Sequence, residues 1–485
     1  VIAPGTVIIS AAGQCDDITA IVEPVLQKDG GAIYYINLSA DAYQLGGSSF
    51  AQILNKVGDK APDIKDAAQF KKAFGLIQEL ISSGKIQAGH DVGSGGLITT
   101  LLEMCFADRN LGAEIDLTGL GESDLTKVLF AENISVVFQA DESAEALLDA
   151  SGVSYSKIGK VTSTPALTIK NGEADALSFD VGHLRDVWFK TSYLLDKKQS
   201  AGEKAAERYA NYKNQPLAYT FPVHFTGKKP DLEGLKTRPK AAIIREKGSN
   251  SERELANALF MAGFDVKDIH MTDLVSGREN LEDIQFLGAV GGFSNSDVLG
   301  SAKGWAGAFK YNEKARVAIE NFFKREDTLS VGICNGCQLF VELGLIYPEH
   351  DVQPKMLHNE SRKHESIFTS LTVQANNSVM LSTLEGATLG VWVSHGEGKF
   401  MLPKSEDQYQ IVAKYGYESY PANPNGSDYN TGIMCDVTGR HLVTMPHIER
   451  SALQWQWANY PKGRKDEVSP WLEAFVNART WIESK

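Results

Sequence analysis

Cysteine is scarce in this 485-residue sequence. There are five, Cys15, Cys105, Cys334, Cys337 and Cys435, odd in number and irregularly spaced. Such a set makes no disulfide framework and fits free thiols in a reducing compartment, so a cytoplasmic location is expected. No run approaches the ~20 continuous apolar residues of a membrane-spanning helix, and the first residues lack the basic-then-apolar layout of a secretory signal. Positive charge is also short. With 61 acidic against 48 basic residues the formal net charge is -13. No Lys/Arg run or basic-aromatic stripe reverses it locally, which argues against nucleic acid as a partner. Val1 stands where a methionine would open a complete chain, and the expectation is a piece of a longer protein.

What is present suits a multidomain globular protein. Hydrophobic residues make up 43% and charged residues 22%, enough apolar content for sizeable cores, and the length suggests about two to four domains. A polar stretch over 195–238, with the charged run Asp196–Arg208 and several prolines and glycines, reads as a linker between region 1–194 and region 239–485.

In the first region, Gly5–Ser10 and Ala32–Asn37 are β-branched and aromatic runs between turn residues, and read as strands. Between Asp66 and Ser83, Phe70, Phe74, Ile77 and Ile81 recur at helical spacing before Gly84. A second helix is expected after Gly95-Gly96, through Leu97, Leu101 and Met104, and Val136–Phe138 repeats the strand pattern. No internal repeat or low-complexity tract is visible, and the region reads as α/β or α+β. The second opens with Ala241–Ile244, a loop, and a helix carrying Leu255, Leu259 and Ala262 up to Gly263. The alternation recurs at Phe286–Val290, and at Leu329–Ile333 before a helix over Asn335–Leu343. This predicts a mostly parallel sheet covered on both faces, with chemistry at the carboxyl ends of its strands.

The segment Val331–Gln338, VGICNGCQ, places Cys334 at a sharp turn between a buried strand and a helix, a nucleophile-elbow context. The helix start offers N–H groups and partial positive charge that favour a thiolate. His447 and Glu449 lie two residues apart in MPHIE. In extended backbone they would share a face, so the carboxylate can orient the imidazole as a general base. Gly291-Gly292 follows a strand and can turn an N–H toward an oxyanion, with the N–H of Asn335 as the second donor. The C-x-x-C of Cys334 and Cys337 also suits a redox pair or half a zinc site, but no second such pair follows, and Cys337 reads as a packing residue. Glycine pairs by themselves mark turns. His90, His270, His358, His364 and His441 receive no role.

These residues carry a resemblance. G-x-C-x-G-x-Q around Cys334 and H-x-E at His447 and Glu449 match the triad pattern of class I glutamine amidotransferases. Arg245–Ser251, Gly291-Gly-Phe-Ser, Asp297–Gly300, Cys334–Gln338, Ser394–Gly398, Tyr420–Gly426 and Met445-Pro-His resemble, in order, the glutaminase domain of the phosphoribosylformylglycinamidine synthase family. Region one is similar to the segment before that domain in the large single-chain form, the C-terminal part of the second aminoimidazole-ribonucleotide-synthetase-like half.

The resemblance implies a three-layer α/β amidotransferase domain with a Cys334–His447–Glu449 triad. Gly291, Gly292 and Asn335 would serve the oxyanion, and Gln338, His395, Gly396 and Glu397 would hold glutamine. The implied activity is glutamine hydrolysis through a cysteine thioester, needing no cofactor. Its ammonia would feed the ATP-dependent conversion of formylglycinamide ribonucleotide to formylglycinamidine ribonucleotide in purine biosynthesis. The partner is then the N-terminal synthetase portion of the same enzyme. In His90–Gly96 the family aspartate binds magnesium beside a nucleotide, ATP or ADP, which makes Asp91 the candidate ligand. Gly93 and Ser94 depart from the serine and the acid common there, and most of the synthetase site is expected to be missing. Two other functions stay open: a docking fragment silent until assembled, and a cysteine hydrolase of this class acting on another substrate.

Overall fold

A computed structural model describes residues 8, 10–14, 17, 20–173, 176–235, 237–461 and 463–485. Most of the strand expected at Gly5–Ser10, and Cys15, lie outside them. The chain forms two compact units, Val1–Ser192 and Tyr193–Lys485. No helix among the described residues is long and apolar enough to cross a membrane.

The first unit is built on seven strands: β1 (Ala32–Asn37), β2 (Ile86–Asp91), β3 (Gly112–Asp116), β4 (Ser135–Ala140), β5 (Ser156–Thr162), β6 (Ala166–Lys170) and β7 (Leu177–Asp180). Their order is β2-β4-β1-β5-β3-β6-β7, antiparallel except for the β3/β6 pair. The period-2 alternation of β1 explains why both faces carry a core. Ile33 and Tyr35 face one cluster with Leu97, Leu101 and Met104, while Tyr34 and Ile36 face another with Leu76, Leu80 and Leu148. The helix Ala67–Ser82 starts at Asp66, whose carboxylate accepts from the N–H groups of Ala68 and Gln69, and Gly84 follows its end at φ 67°. Its buried stripe is Ala73, Leu76, Ile77 and Leu80. Phe74, expected in that stripe, is 52% exposed: the helix has more apolar residues than one face can hold.

In the second unit, β8 (Lys240–Arg245), β9 (Asp265–His270), β10 (Phe286–Ala289) and β11 (Leu329–Ile333) precede β12 (Lys355–Leu357), β13 (Glu365–Val373), β14 (Thr388–His395), β15 (Lys399–Met401), β16 (Gln410–Tyr415), β17 (Thr431–Cys435) and β18 (His441–Thr444). Nine of them form one sheet, β14-β13-β16-β17-β18-β11-β10-β8-β9. From β9 to β18 neighbours run parallel, and from β18 to β14 antiparallel. The pure apolar runs of β10 and β11, buried at every position, fit the middle of a parallel sheet with helices on both faces. The antiparallel half is an addition to the expected parallel sheet. Its strands do not alternate with helices, so the pattern that reveals β-turn-α units passes over them.

Residues 195–238, read from composition as a linker, include the end of the helix Val181–Gln199 and the whole of Lys204–Asn211. They are fastened within the second unit. Arg208 donates to Glu365 at 2.8 Å, and Thr220 bridges to Thr388 at the start of β14.

Candidate active site

Cys334 joins β11 to the helix Asn335–Glu342 with φ 52° and ψ -105°. A non-glycine residue adopts this conformation only when its surroundings impose it. The imposing contacts are visible: its N–H donates to Thr444 O at 2.7 Å and its carbonyl accepts from Gln338 N at 3.0 Å. Two glycines let the helix start lie against the sheet. A Cβ on Gly336 would stand 2.1 Å from the Ala289 carbonyl oxygen, and one on Gly332 would stand 2.6 Å from Gly336 O. The thiol lies 3.6 Å from the carbonyl oxygen of Ser394.

His447 and Glu449 follow β18, and Nδ1 of the imidazole meets Oε1 of the carboxylate at 2.7 Å with both residues buried. The backbone is a bridge at His447 and a turn at Glu449, not the extended run that i, i+2 spacing suggested; the turn brings the carboxylate to the ring. His447 also bonds through its N–H to Trp392 O at 2.8 Å. Burial works against an imidazolium here, yet the Glu449 charge and a hydrogen bond with Cys334 prevail and raise the His447 pKa to about 10. Glu449 shifts the other way: burial opposes its charge, but the imidazolium outweighs it and lowers its pKa. With Nδ1–H assigned to the carboxylate, Nε2 is left to work with the thiol.

Gly291 lies between these groups. A Cβ there would be 2.8 Å from His447 Cε1 and 3.4 Å from Cys334 Cβ. Its N–H is directed to Ser251 Oγ at 3.3 Å, and its carbonyl accepts from Asn250 N. Gly292, at φ 110°, packs against the backbone of Ser249 so closely that a Cβ would be 2.6 Å from its Cα. Among the described residues neither Gly292 nor Asn335 donates its N–H to a protein acceptor. The Asn335 side chain is committed, receiving Ser294 N at 3.2 Å and donating to Gln338 Oε1 at 3.0 Å.

The residues expected to hold glutamine separate into two groups. Gln338 gives its amide oxygen to Asn335 and an N–H to Glu397 O at 2.8 Å, so it ties the helix to the loop after β14. His395 is buried, with Nδ1 3.1 Å from Asn359 Oδ1 and Nε2 3.3 Å from Asn425 Nδ2. Both ring nitrogens are thus engaged with protein, and desolvation lowers its pKa to about 3, which keeps it neutral. Gly396 and Glu397 are partly exposed, and Glu397 receives Ser301 N at 3.4 Å. Beside it stands Asp297, a carboxylate that opens the Asp297–Gly300 stretch but has no role from sequence, its pKa raised mainly by burial and further by Glu397. Asn359, Asn425 and Ser251 likewise have no role from sequence, although Ser251 lies in Arg245–Ser251 and Asn425 in Tyr420–Gly426; their partners are remote in the chain.

Cys105, Cys334, Cys337 and Cys435 are all free and buried. Burial pushes the Cys337 thiol well above its usual range, as befits a packing residue. No group of three or more His, Cys, Asp or Glu side chains among the described residues could hold a metal ion. In the first unit the Asp91 side chain is 81% exposed. The neighbouring glycine loop is already answered by protein: Glu132 Oε1 accepts from Gly95 N at 2.9 Å and from Ser49 N at 2.8 Å, where an anion at the start of the helix Gly96–Phe106 would otherwise bind.

A family model described as CobB/CobQ-like glutamine amidotransferase domain matches residues 238–482, and one described as AIR synthase related protein, C-terminal domain, matches residues 28–170. A probable phosphoribosylformylglycinamidine synthase, chloroplastic/mitochondrial, of Arabidopsis thaliana is 38% identical over 515 residues, which cover 99% of this chain and 36% of its own. The Homo sapiens phosphoribosylformylglycinamidine synthase is 37% identical over 516 residues, 99% of this chain and 38% of its own. The chain therefore spans little more than a third of the length of these relatives. The solved structure of PurLQS from Thermotoga maritima aligns with 50% of this chain and 99% of its own at 24% identity, with a TM-score of 0.41.

Proposed function

Residues 238–482 make this chain a member of the CobB/CobQ-like glutamine amidotransferase family, and on that footing we propose that it hydrolyses glutamine through a thioester on Cys334. The observation that carries the proposal is the convergence of an imposed backbone at Cys334, the buried His447–Glu449 pair, and a glycine with no room for a side chain between them.

The Cys334 thiolate attacks the side-chain amide carbon, and the N–H groups of Gly292 and Asn335 receive the oxyanion, each worth about 3 kcal/mol in the transition state. His447 gives its Nε2 proton to the departing nitrogen and ammonia leaves. It then takes a proton from water, which attacks the thioester and releases glutamate. Glu449 holds the ring throughout and stabilises its charge. Glu397 and Gly396 face the substrate, with Gln338 and His395 fixing their loop.

The similarity to phosphoribosylformylglycinamidine synthases supports a larger setting. The ammonia would be used by the synthetase portion of the same enzyme for ATP-dependent amination of formylglycinamide ribonucleotide, with residues 1–194 the end of one synthetase half and the protein in the cytoplasm. Asp91 by itself does not make a metal site, and a magnesium–nucleotide site would need ligands from the rest of that enzyme.

Glutamate release from glutamine by the wild type and by Cys334→Ala tests the reading. Activity in the wild type and its loss in the variant is expected; equal activity in both would remove Cys334 from the mechanism. No activity in either, even with the synthetase portion present, would favour a docking role.

A further inference from the structure

The segment Asn359–Glu365 connects the loop after β14 with residues 193–211. On the loop side, Asn359 is fully buried. Its N–H donates to Gly396 O at 2.9 Å, and its side-chain nitrogen donates to His395 O at 2.7 Å. Its oxygen accepts from Gly398 N at 3.0 Å. The end of β14 and the loop held this way touch the nucleophile's turn and helix, through Ser394 O beside the Cys334 thiol and through Glu397 O on Gln338.

On the other side the same segment is gripped by the two helices before β8 and the short connection between them. Lys204 pairs with Glu360 at 3.0 Å, Ala201 N donates to Ser361 O at 2.8 Å, Asp196 pairs with Lys363, and Arg208 donates to Glu365 at 2.8 Å. Glu365 is only 3% exposed and lies directly opposite His395 in the β13/β14 register. Four contacts from residues 193–211 thus end within a few residues of the asparagine that shapes the loop. Solvating a surface helix requires none of them to be directed there.

We propose that Asp196, Lys204 and Arg208 are positioning residues for the glutamine site: residues 193–211 set the placement of Ser394–Gly398 through Asn359–Glu365, so displacing these helices changes glutamine use at Cys334. The assignment of a reaction rests on the glutaminase reading, whereas the mechanical link does not.

The test uses the full-length enzyme with Lys204→Met and Arg208→Gln, and Lys204→Arg as the conservative control. Amide exchange across Gly396–Gly398 should quicken about tenfold in the first two, because local opening there becomes easier, while the strand Lys240–Arg245 keeps its protection and shows the fold intact. KM for glutamine should rise about fivefold with kcat little changed, as expected when binding geometry loosens but the triad remains, and Lys204→Arg should behave as wild type. Unchanged exchange at Gly396–Gly398 in both variants would overturn the link. Faster exchange in an enzyme whose wild type releases no glutamate would uphold the link and sink the glutaminase reading instead.

Discussion

Cys334 holds a conformation that a Cβ resists and glycine accepts. Replacing the thiol therefore has two separable effects. Cys334→Ala and Cys334→Gly should both abolish glutamate release, but the glycine variant should be the more stable by about 1–2 kcal/mol, because it removes the backbone strain as well. Denaturant titration of the two inactive proteins measures the difference, and equal midpoints would mean that the turn is unstrained. His447 gives a prediction of defined sign. Its pKa is raised to about 10, so between the ordinary histidine range and that value the folded protein holds a proton that the unfolded chain has released. Its contribution to stability is full below about pH 6.5 and is lost as pH rises toward 10, by roughly 1.4 kcal/mol per unit. Glu449→Gln removes the charge that does most to raise it, leaving burial opposed by Cys334 alone. This component of the slope should shrink in a series of unfolding curves, and turnover should fall by roughly 10²–10⁴-fold. A slope unaltered by the substitution would mean that another group carries the proton.

The helix Asn335–Glu342 shows how an element brings its first residues to the chemistry. Its approach to β10 depends on Gly336, where a methyl group would meet the Ala289 carbonyl at 2.1 Å, an oxygen held by the parallel ladder. Gly336→Ala should destabilise the second unit by about 1–3 kcal/mol or more, the usual cost of overpacking, and reduce glutaminase activity beyond what unfolding explains, since the helix must retreat from the oxyanion position. Thermal melts with residual turnover would check it; a neutral effect on both would show that the sheet yields there. The helix Glu252–Ala262 packs against the same sheet with Leu255, Ala258, Leu259 and Ala262 buried. It ends on Gly263 at φ 102°, and its apolar face was readable from Leu255, Leu259 and Ala262.

What could be read from sequence followed the range of the interactions. The elbow at Cys334 is a strand, a turn and a helix within about a dozen residues, and the His447–Glu449 pair is separated by two, so local pattern and spacing revealed both. The clamp on His395 was not readable in the same way. Asn359 and Asn425 come from 36 and 30 residues away, and nothing in a short window distinguishes an asparagine that shapes a loop from one in a turn. The expected linker concealed its structure for a related reason: Lys204, Glu207 and Arg208 are charged as solvated residues are, and their partners Glu360, Glu365 and Tyr420 become neighbours only after the antiparallel strands assemble. Composition cannot separate a solvated charge from one with a distant partner.

The bridge between Thr220 and Thr388 bears on the molecule's behaviour in a crowd. β14 ends the nine-stranded sheet, and a bare edge strand exposes amides and carbonyls on which another chain can add. Here Thr220 and Thr388 exchange both hydrogen bonds at 2.9 Å at one end, and His447 N donates to Trp392 O near the other. The second closure travels with the His447–Glu449 segment, but the first belongs to residues before Pro239. A protein trimmed to begin at Pro239, where composition alone would draw the border, keeps Cys334, His447 and Glu449 and loses this guard. It should self-associate more readily than the longer chain, visible as light scattering that grows with concentration. If the trimmed protein stays monodisperse, the Thr220 segment is not what shields that edge.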